Sequence, residues 1–526
     1  MRNKYLYITL LAILGFNSES WAQYVQSKGA PRLVVSITID QLRSDYLEAF
    51  APLYSDKGFK RLLDGGRVYA NASYPFSPID RASAIASIAT GVTPYYNNIT
   101  GKLWLNRKTL RPVFCVDDSA FPGLLTDDTS SAAALSTSTI GDELKVVTGG
   151  KAHVFSIAPY RDAAILAAGH AANAATWIDD IRGNWCSTSY YSSSLPAWIG
   201  AYNSMHPADS RTDNTTWEPC DMKVGNLSYF MYGNDSRSFK HRFSGPERYT
   251  LYKTSGLVNK DVTDMAQQCV YANGMGNDAV TDLLSLTYYA GTFDHRTVTE
   301  CQTELEDTYV RLDNEIARLM DYLDEHIGKD RVLYVLTSTG YSDIESTDYQ
   351  KYRIPSGVFQ MDRTSNLLNM YLGAIWGQGI YIESTFGNQI FLNHKLLENK
   401  KVSITDATNR AQEILVMMSG VRNVYTSLQL ITSQNQQLQK IRNGFSPEHS
   451  GDLFIEVAPG WQILDENGQQ VELSRASFTP FPIIFYGNGI ESERIQVPVT
   501  TDRIAPTIAR CIRIRAPNAC SSEPLF

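Results

Sequence analysis

The chain has 526 residues, 43% of them hydrophobic and 19% charged, with a formal net charge of −8. That is globular composition, long enough for a large core with insertions. No block of Lys or Arg offsets the acidic balance, which excludes a basic nucleic-acid face.

In chain order, residues 1–22 read MRNKYLYITLLAILGFNSESWA. A basic start at Arg2 and Lys4, a short apolar run from Tyr5 to Phe16 and small residues up to Ala22 predict a secretory signal peptide. A membrane span needs about 20 apolar residues, more than this run supplies, and no Cys near the cleavage point suggests a lipid anchor. The mature chain is expected to be exported, with no transmembrane span.

RLVVSITID (Arg32–Asp40) is a continuous β-branched run ending in a carboxylate, the pattern of a strand buried on both faces. An acid at the C-terminal end of such a strand lies where α/β sheets keep their sites. Ala152–Ala158, Ala279–Tyr289, Arg331–Thr339 and Pro482–Gly487 repeat the form. Between the last two sheet regions and the cap, ELEDTYVRLDNEIARLMDYLDEHIG puts Leu305, Tyr309, Leu312, Ile316, Leu319 and Leu323 on one helical face, with Gly328 as its stop. Strands alternating with helices predict an α/β fold with a parallel sheet. Residues of about 180–260, rich in Ser, Asn, Tyr and Trp, read as an inserted cap. A second insertion is expected over about 368–451. The seven cysteines include no CxxC, so they do not suggest a zinc knuckle, and their odd count leaves pairing open.

SPIDRASAIASIATGVTPYYNNITG (Ser77–Gly101) runs from a loop into a helix, and a helix N-terminus is a natural anion seat. With LVVSITIDQLRSDYL, GFKRLLDGG, ILAAGHAANAATWID, SGDLFIEVAPGW, PIIFYGNGI and TDRIAPTIA, it resembles the alkaline phosphatase superfamily. The likeness is strongest to its phosphate-irrepressible alkaline phosphatases, near the type I phosphodiesterases and nucleotide pyrophosphatases. The resemblance spans residues 23–526. It implies a three-layer α/β/α sandwich with cap segments, two zinc ions held by Asp and His, and a Thr or Ser nucleophile.

Residue by residue, the resemblance implies a dismantled site. Asp40 is the sole retained ligand position. The nucleophile position holds Arg81, which cannot lose its proton to attack. Lys102 stands for an asparagine, and Tyr160 and Asp162 stand for a phosphoryl-binding Lys and Arg. Thr292 and Arg296 replace an Asp-His ligand pair, Thr339 and Gly340 a second, and Pro480 the last histidine. The expectation is therefore a pseudoenzyme with no catalytic residues and no cofactor. Its role would be that of an interaction or structural module in the bacterial cell envelope, in the periplasm or at the outer membrane and cell surface, with envelope protein partners. Arg81, Lys102 or Arg296 would then pair with Asp40 or Asp162, because an unpaired buried carboxylate is costly. Two other readings stand beside it. One is a metal-dependent phosphomonoesterase or phosphodiesterase rebuilt on Asp40, Asp294, His295 and Asp343. The other is a non-hydrolytic binder of an anion or glycan, with Arg81, Lys102 and Arg296 as a cationic pocket.

Overall fold

LVVSITID forms strand β1, Leu33–Asp40, buried along nearly its whole length, as an apolar run without alternation requires. The computed structural model describes residues 29–213, 215–227, 238–342, 352–465 and 480–526; the leader expected over 1–22 lies outside them. The remaining central strands are β2 (Arg67–Ser73), β3 (Val154–Ile157), β4 (Ala174–Ile178), β5 (Asp282–Tyr289), β6 (Val332–Ser338) and β7 (Phe481–Gly487). Across the sheet they run β2-β7-β6-β1-β5-β3-β4.

Strands β1, β3, β4, β5 and β6 are parallel, in a register that sets Asp40 beside Tyr289 and Ile39 beside Ser338. Their C-terminal ends therefore share one edge of the sheet, where open α/β sheets place ligands. Strand β7 runs antiparallel to both β6 and β2, so its beginning meets that same edge. The sheet is thus mixed rather than wholly parallel.

Helices cover both faces. On one side lie α1 (Arg81–Thr90) and α2 (Arg161–Ala168); on the other lie α3 (Ala197–Met205), α4 (Val258–Asn273) and α5 (Gln302–His326). Each side has its own apolar core, giving three layers. The six apolar residues that the period of α5 selects are at most 1% exposed. Just past its end, Gly328 takes φ of 106°, a backbone that favours glycine.

Part of the cap region is a short two-stranded ladder, Thr216–Trp217 with His241–Arg242, docked on α5. The buried Asp307 carboxylate accepts from Trp217 Nε1, the Cys220 amide and Arg311 Nε, each at 2.6 Å. Residues 357–464 carry a separate four-stranded antiparallel sheet built from Ile382–Phe386, Gln389–Leu392, Leu453–Val457 and Val421–Thr426. With the helices Met361–Trp376 and Ile404–Leu415 it encloses its own core. All seven cysteines are free. Among the described residues no helix is long and apolar enough to cross a membrane.

His170, in the AAGHAAN stretch, is a structural clasp. Its Nδ1 lies 2.9 Å from Asp142 Oδ2 and its Nε2 lies 2.9 Å from the Leu135 carbonyl. Two acceptors favour the doubly protonated ring. The Asp142 hydrogen bond accordingly raises the His170 pKa above its ordinary value, against the effect of burial. A raised histidine stabilises fully below its unfolded pKa of about 6.5, and that contribution is lost as pH rises through the folded value. Urea unfolding at pH 5.5 and 8.5 should show the native chain losing stability upward across this window, a slope that His170→Gln flattens. Equal slopes in the two proteins would refute the clasp.

Candidate functional site

Asp80 ends the loop of the opening motif and caps α1. Its Oδ1 accepts from the Ser83 amide at 2.9 Å and the Ser83 hydroxyl at 2.8 Å, while Oδ2 accepts from the Lys102 amide at 2.5 Å. This reciprocal cap fixes the first turn. The first helical residue is Arg81, only 8% exposed, and its side chain reaches the C-terminal edge of β1.

There three of the five guanidinium N–H donors meet carboxylates. Nε and Nη2 each donate to one oxygen of Asp162 at 3.0 Å, a bidentate pair, and Nη1 lies 3.4 Å from Asp40 Oδ2. Its plane sits 3.7 Å from the centre of the Tyr160 ring, a desolvated cation–π contact. The other oxygen of Asp40 accepts from the Thr339 hydroxyl at 2.9 Å, and the Tyr341 hydroxyl also bonds this carboxylate. Thr339 in turn accepts the Gln41 amide at 2.9 Å.

The two carboxylates titrate differently. Burial pushes both up. At Asp40 the nearby Arg81 and the two hydroxyls only partly offset this, and the pKa stays above the ordinary value. At Asp162 the bidentate guanidinium more than reverses it, and the pKa falls below the ordinary value. Burial alone would lower Arg81; the two carboxylates hold it well above its usual range. Arg81 therefore belongs chiefly to Asp162, and Asp40 is its weaker partner.

A second cation backs the same ring. Lys253, 1% exposed, lies 5.3 Å from the centre of Tyr160 and donates to Asp180 Oδ1 at 2.5 Å. Outside this array is a cavity of about 630 Å³ whose lining includes Arg81, Lys102, Tyr160, Asp180, Phe386 and Asp465, within the usual ligand range. At the site Asp40, Asp80, Asp162, Asp180 and Asp465 outnumber Arg81, Lys102 and Lys253. That charge balance opposes a phosphate dianion.

The remaining sequence-predicted positions do not converge on Asp40. Lys102 is exposed on the cavity wall. Arg296 binds Asp294 Oδ2 at 3.2 Å on the surface, so no cationic cluster of Arg81, Lys102 and Arg296 forms. Thr292 is buried, its carbonyl accepting from Tyr289 at 2.7 Å. His295 lines the cavity, apart from the buried carboxylates. Gly340 takes φ of +70°, with the Tyr74 and Phe481 rings closed against it. Pro480 is exposed, its carbonyl accepting the Ser44 amide at 3.1 Å. Asp343 lies outside the described residues.

The described residues do not fit a zinc pair. The Asp40 oxygens are taken by Arg81, Thr339 and Tyr341, and no group of three or more His, Cys, Asp or Glu among the described residues is placed to hold a metal ion. Sequence reasoning missed Lys253 and Asp180, which lie in a cap segment without periodicity. It also passed over the Asp80 cap, although an Asp just before a helix is a visible N-cap signal.

Comparison with known proteins adds the context. Residues 34–478 match the family described as type I phosphodiesterase / nucleotide pyrophosphatase. The chain is 26% identical to alkaline phosphatase PhoV of Synechococcus elongatus, covering 94% of this chain and 92% of that protein. It is also 26% identical to alkaline phosphatase PafA of Elizabethkingia meningoseptica, covering 98% of each. The crystal structure of wild-type PafA superposes with a TM-score of 0.81 at 24% identity, over 94% of this chain and 98% of that one, which shows the alkaline-phosphatase-like fold. These likenesses correct one expectation. The expectation of no cofactor is overturned by full-length similarity to two alkaline phosphatases, the likeness that implies two zinc ions.

Proposed function

We propose that this chain, which belongs to the type I phosphodiesterase / nucleotide pyrophosphatase family of the alkaline phosphatase superfamily, has lost phosphoryl transfer and acts as a non-hydrolytic module of the bacterial cell envelope. One observation carries the reading. Where the resemblance puts the nucleophile, the side chain is the buried guanidinium of Arg81, paired with Asp162 and Asp40. A guanidinium has no lone pair to attack phosphorus and no acceptor for a substrate proton. Three of its five N–H donors are held by internal carboxylates, which limits it as a phosphate clamp. The chain is read as exported, with protein partners in the envelope.

The competing reading is a working phosphatase, and full-length similarity to alkaline phosphatases supports it. The two separate in one assay. The purified mature chain, supplied with zinc, should turn over an aryl phosphate and an aryl phosphodiester no faster than buffer does. Arg81→Thr alone should not restore turnover. Hydrolysis by the native chain that disappears in Asp40→Ala would overturn the non-hydrolytic reading.

A further inference from the structure

Near the C-terminal end of α5, far along a 25-residue helix from the cavity described above, three helices frame a second concavity. It holds about 300 Å³ and is lined by Tyr202, Met205 and His206 of the α3 end, Asp264, Gln267, Gln268 and Tyr271 of α4, and Tyr322 and His326 of α5. Its walls are built alike. On α5 the exposed His326 ring stacks on Tyr322 at 4.0 Å and 27°. At the end of α3 the exposed His206 ring lies on the buried Tyr202 at 4.7 Å and 39°. Each is a tyrosine–histidine pair spaced i, i+4, the spacing that brings side chains together on one helix face.

The α5 pair is held in place before any ligand arrives. His326 Nδ1 lies 2.8 Å from the Tyr322 carbonyl, and the Tyr322 hydroxyl donates to the Gln267 carbonyl at 3.3 Å. Such preorganisation lowers the entropy lost on binding. The floor offers polar groups. The Gln268 amide and the Tyr271 hydroxyl have no hydrogen-bond partner among the described residues, and Tyr271 is 76% exposed. The fixed charge is neutralised, for Asp264 binds Lys260 and Arg318, each at 2.6 Å.

We infer that this groove is a binding site for a neutral saccharide. A pyranose has a flat C–H face that packs on an aromatic ring and a rim of hydroxyls that suits amide and phenol groups. Aromatic walls, an uncharged hydrogen-bonding floor and balanced charge match both halves of that chemistry. Apart from the two histidine rings, a charged ligand would find no unpaired counter-charge here, and a purely apolar one would leave Gln268 and Tyr271 unpaired. The site does not depend on whether the chain hydrolyses phosphate esters.

The test is saturation-transfer NMR and calorimetric titration of the full mature chain with cellobiose, N,N′-diacetylchitobiose and maltose. At least one disaccharide should bind, and Tyr271→Ala should weaken it at least tenfold without changing the melting temperature, since this side chain is exposed. Tyr96→Ala, another exposed tyrosine (56%) remote from the groove, should leave binding unchanged. Absence of binding for all three sugars, or equal binding by Tyr271→Ala, overturns the proposal. Concentration-dependent dimerisation abolished by Tyr271→Ala, without sugar binding, would do so as well by assigning the groove to a second copy of the chain.

Discussion

Arg81→Leu should destabilise the protein by about 3–5 kcal/mol, because removing one partner of a buried ion pair strands the other. Here it strands two carboxylates, Asp40 and Asp162, 1% and 5% exposed. Stranded carboxylates escape by taking up protons, so their folded pKa values rise above the unfolded value near 3.9. A raised carboxyl group costs stability as pH climbs through its folded pKa. The deficit of Arg81→Leu should therefore widen between pH 5 and pH 8, read as the difference in urea unfolding free energy from the native chain. In the native chain Asp162 behaves oppositely. Its lowered pKa contributes stability above the unfolded value that is lost as pH falls through the folded one. A double variant, Arg81→Leu with Asp162→Leu, should recover much of the loss, since apolar replacements of a buried pair are often well tolerated. A deficit independent of pH would mean that Arg81 acts through packing alone.

Asp307→Ala should cost about 3 kcal/mol, since three donors lose a charged acceptor and two of them are in the cap. The Trp217 indole is fully buried against α5, so its orphaned Nε1 cannot turn to water. The loss should appear locally. Amides of residues 216–220 and 241–243 should exchange with deuterium much faster in the variant, while those of β1, β5 and β6 keep their protection. Uniformly faster exchange would show that the cap ladder unfolds only with the rest of the molecule.

The fold was largely legible in the sequence because its signals are local. LVVSITID could only be buried on both faces, and the period of α5 selected its buried residues. The direction of β7 was not legible, since PIIFYG has the same apolar pattern read either way and only the chain path decides it. At the site the replaced residues stood out once their neighbours set the register. Their partners did not. That Arg81 would choose Asp162 over Asp40, and that Arg296 would turn away to Asp294, depends on distances across separate loops. Lys253 carried no signal at all: a single lysine in a polar insertion looks solvated until the Tyr160 ring and Asp180 close over it.

Gly340 stands where the resemblance places a histidine, and its surroundings bear on how such a site could be rebuilt. A β-carbon there would sit 2.6 Å from Tyr74 Cε2 and 2.7 Å from Phe481 Cε1, on a backbone with φ of +70°. A side chain meets both a steric wall and an unfavourable conformation. Engineering the position back would require reshaping the turn and trimming two core aromatics together. No single substitution achieves this, because the backbone turn and both rings would have to change together.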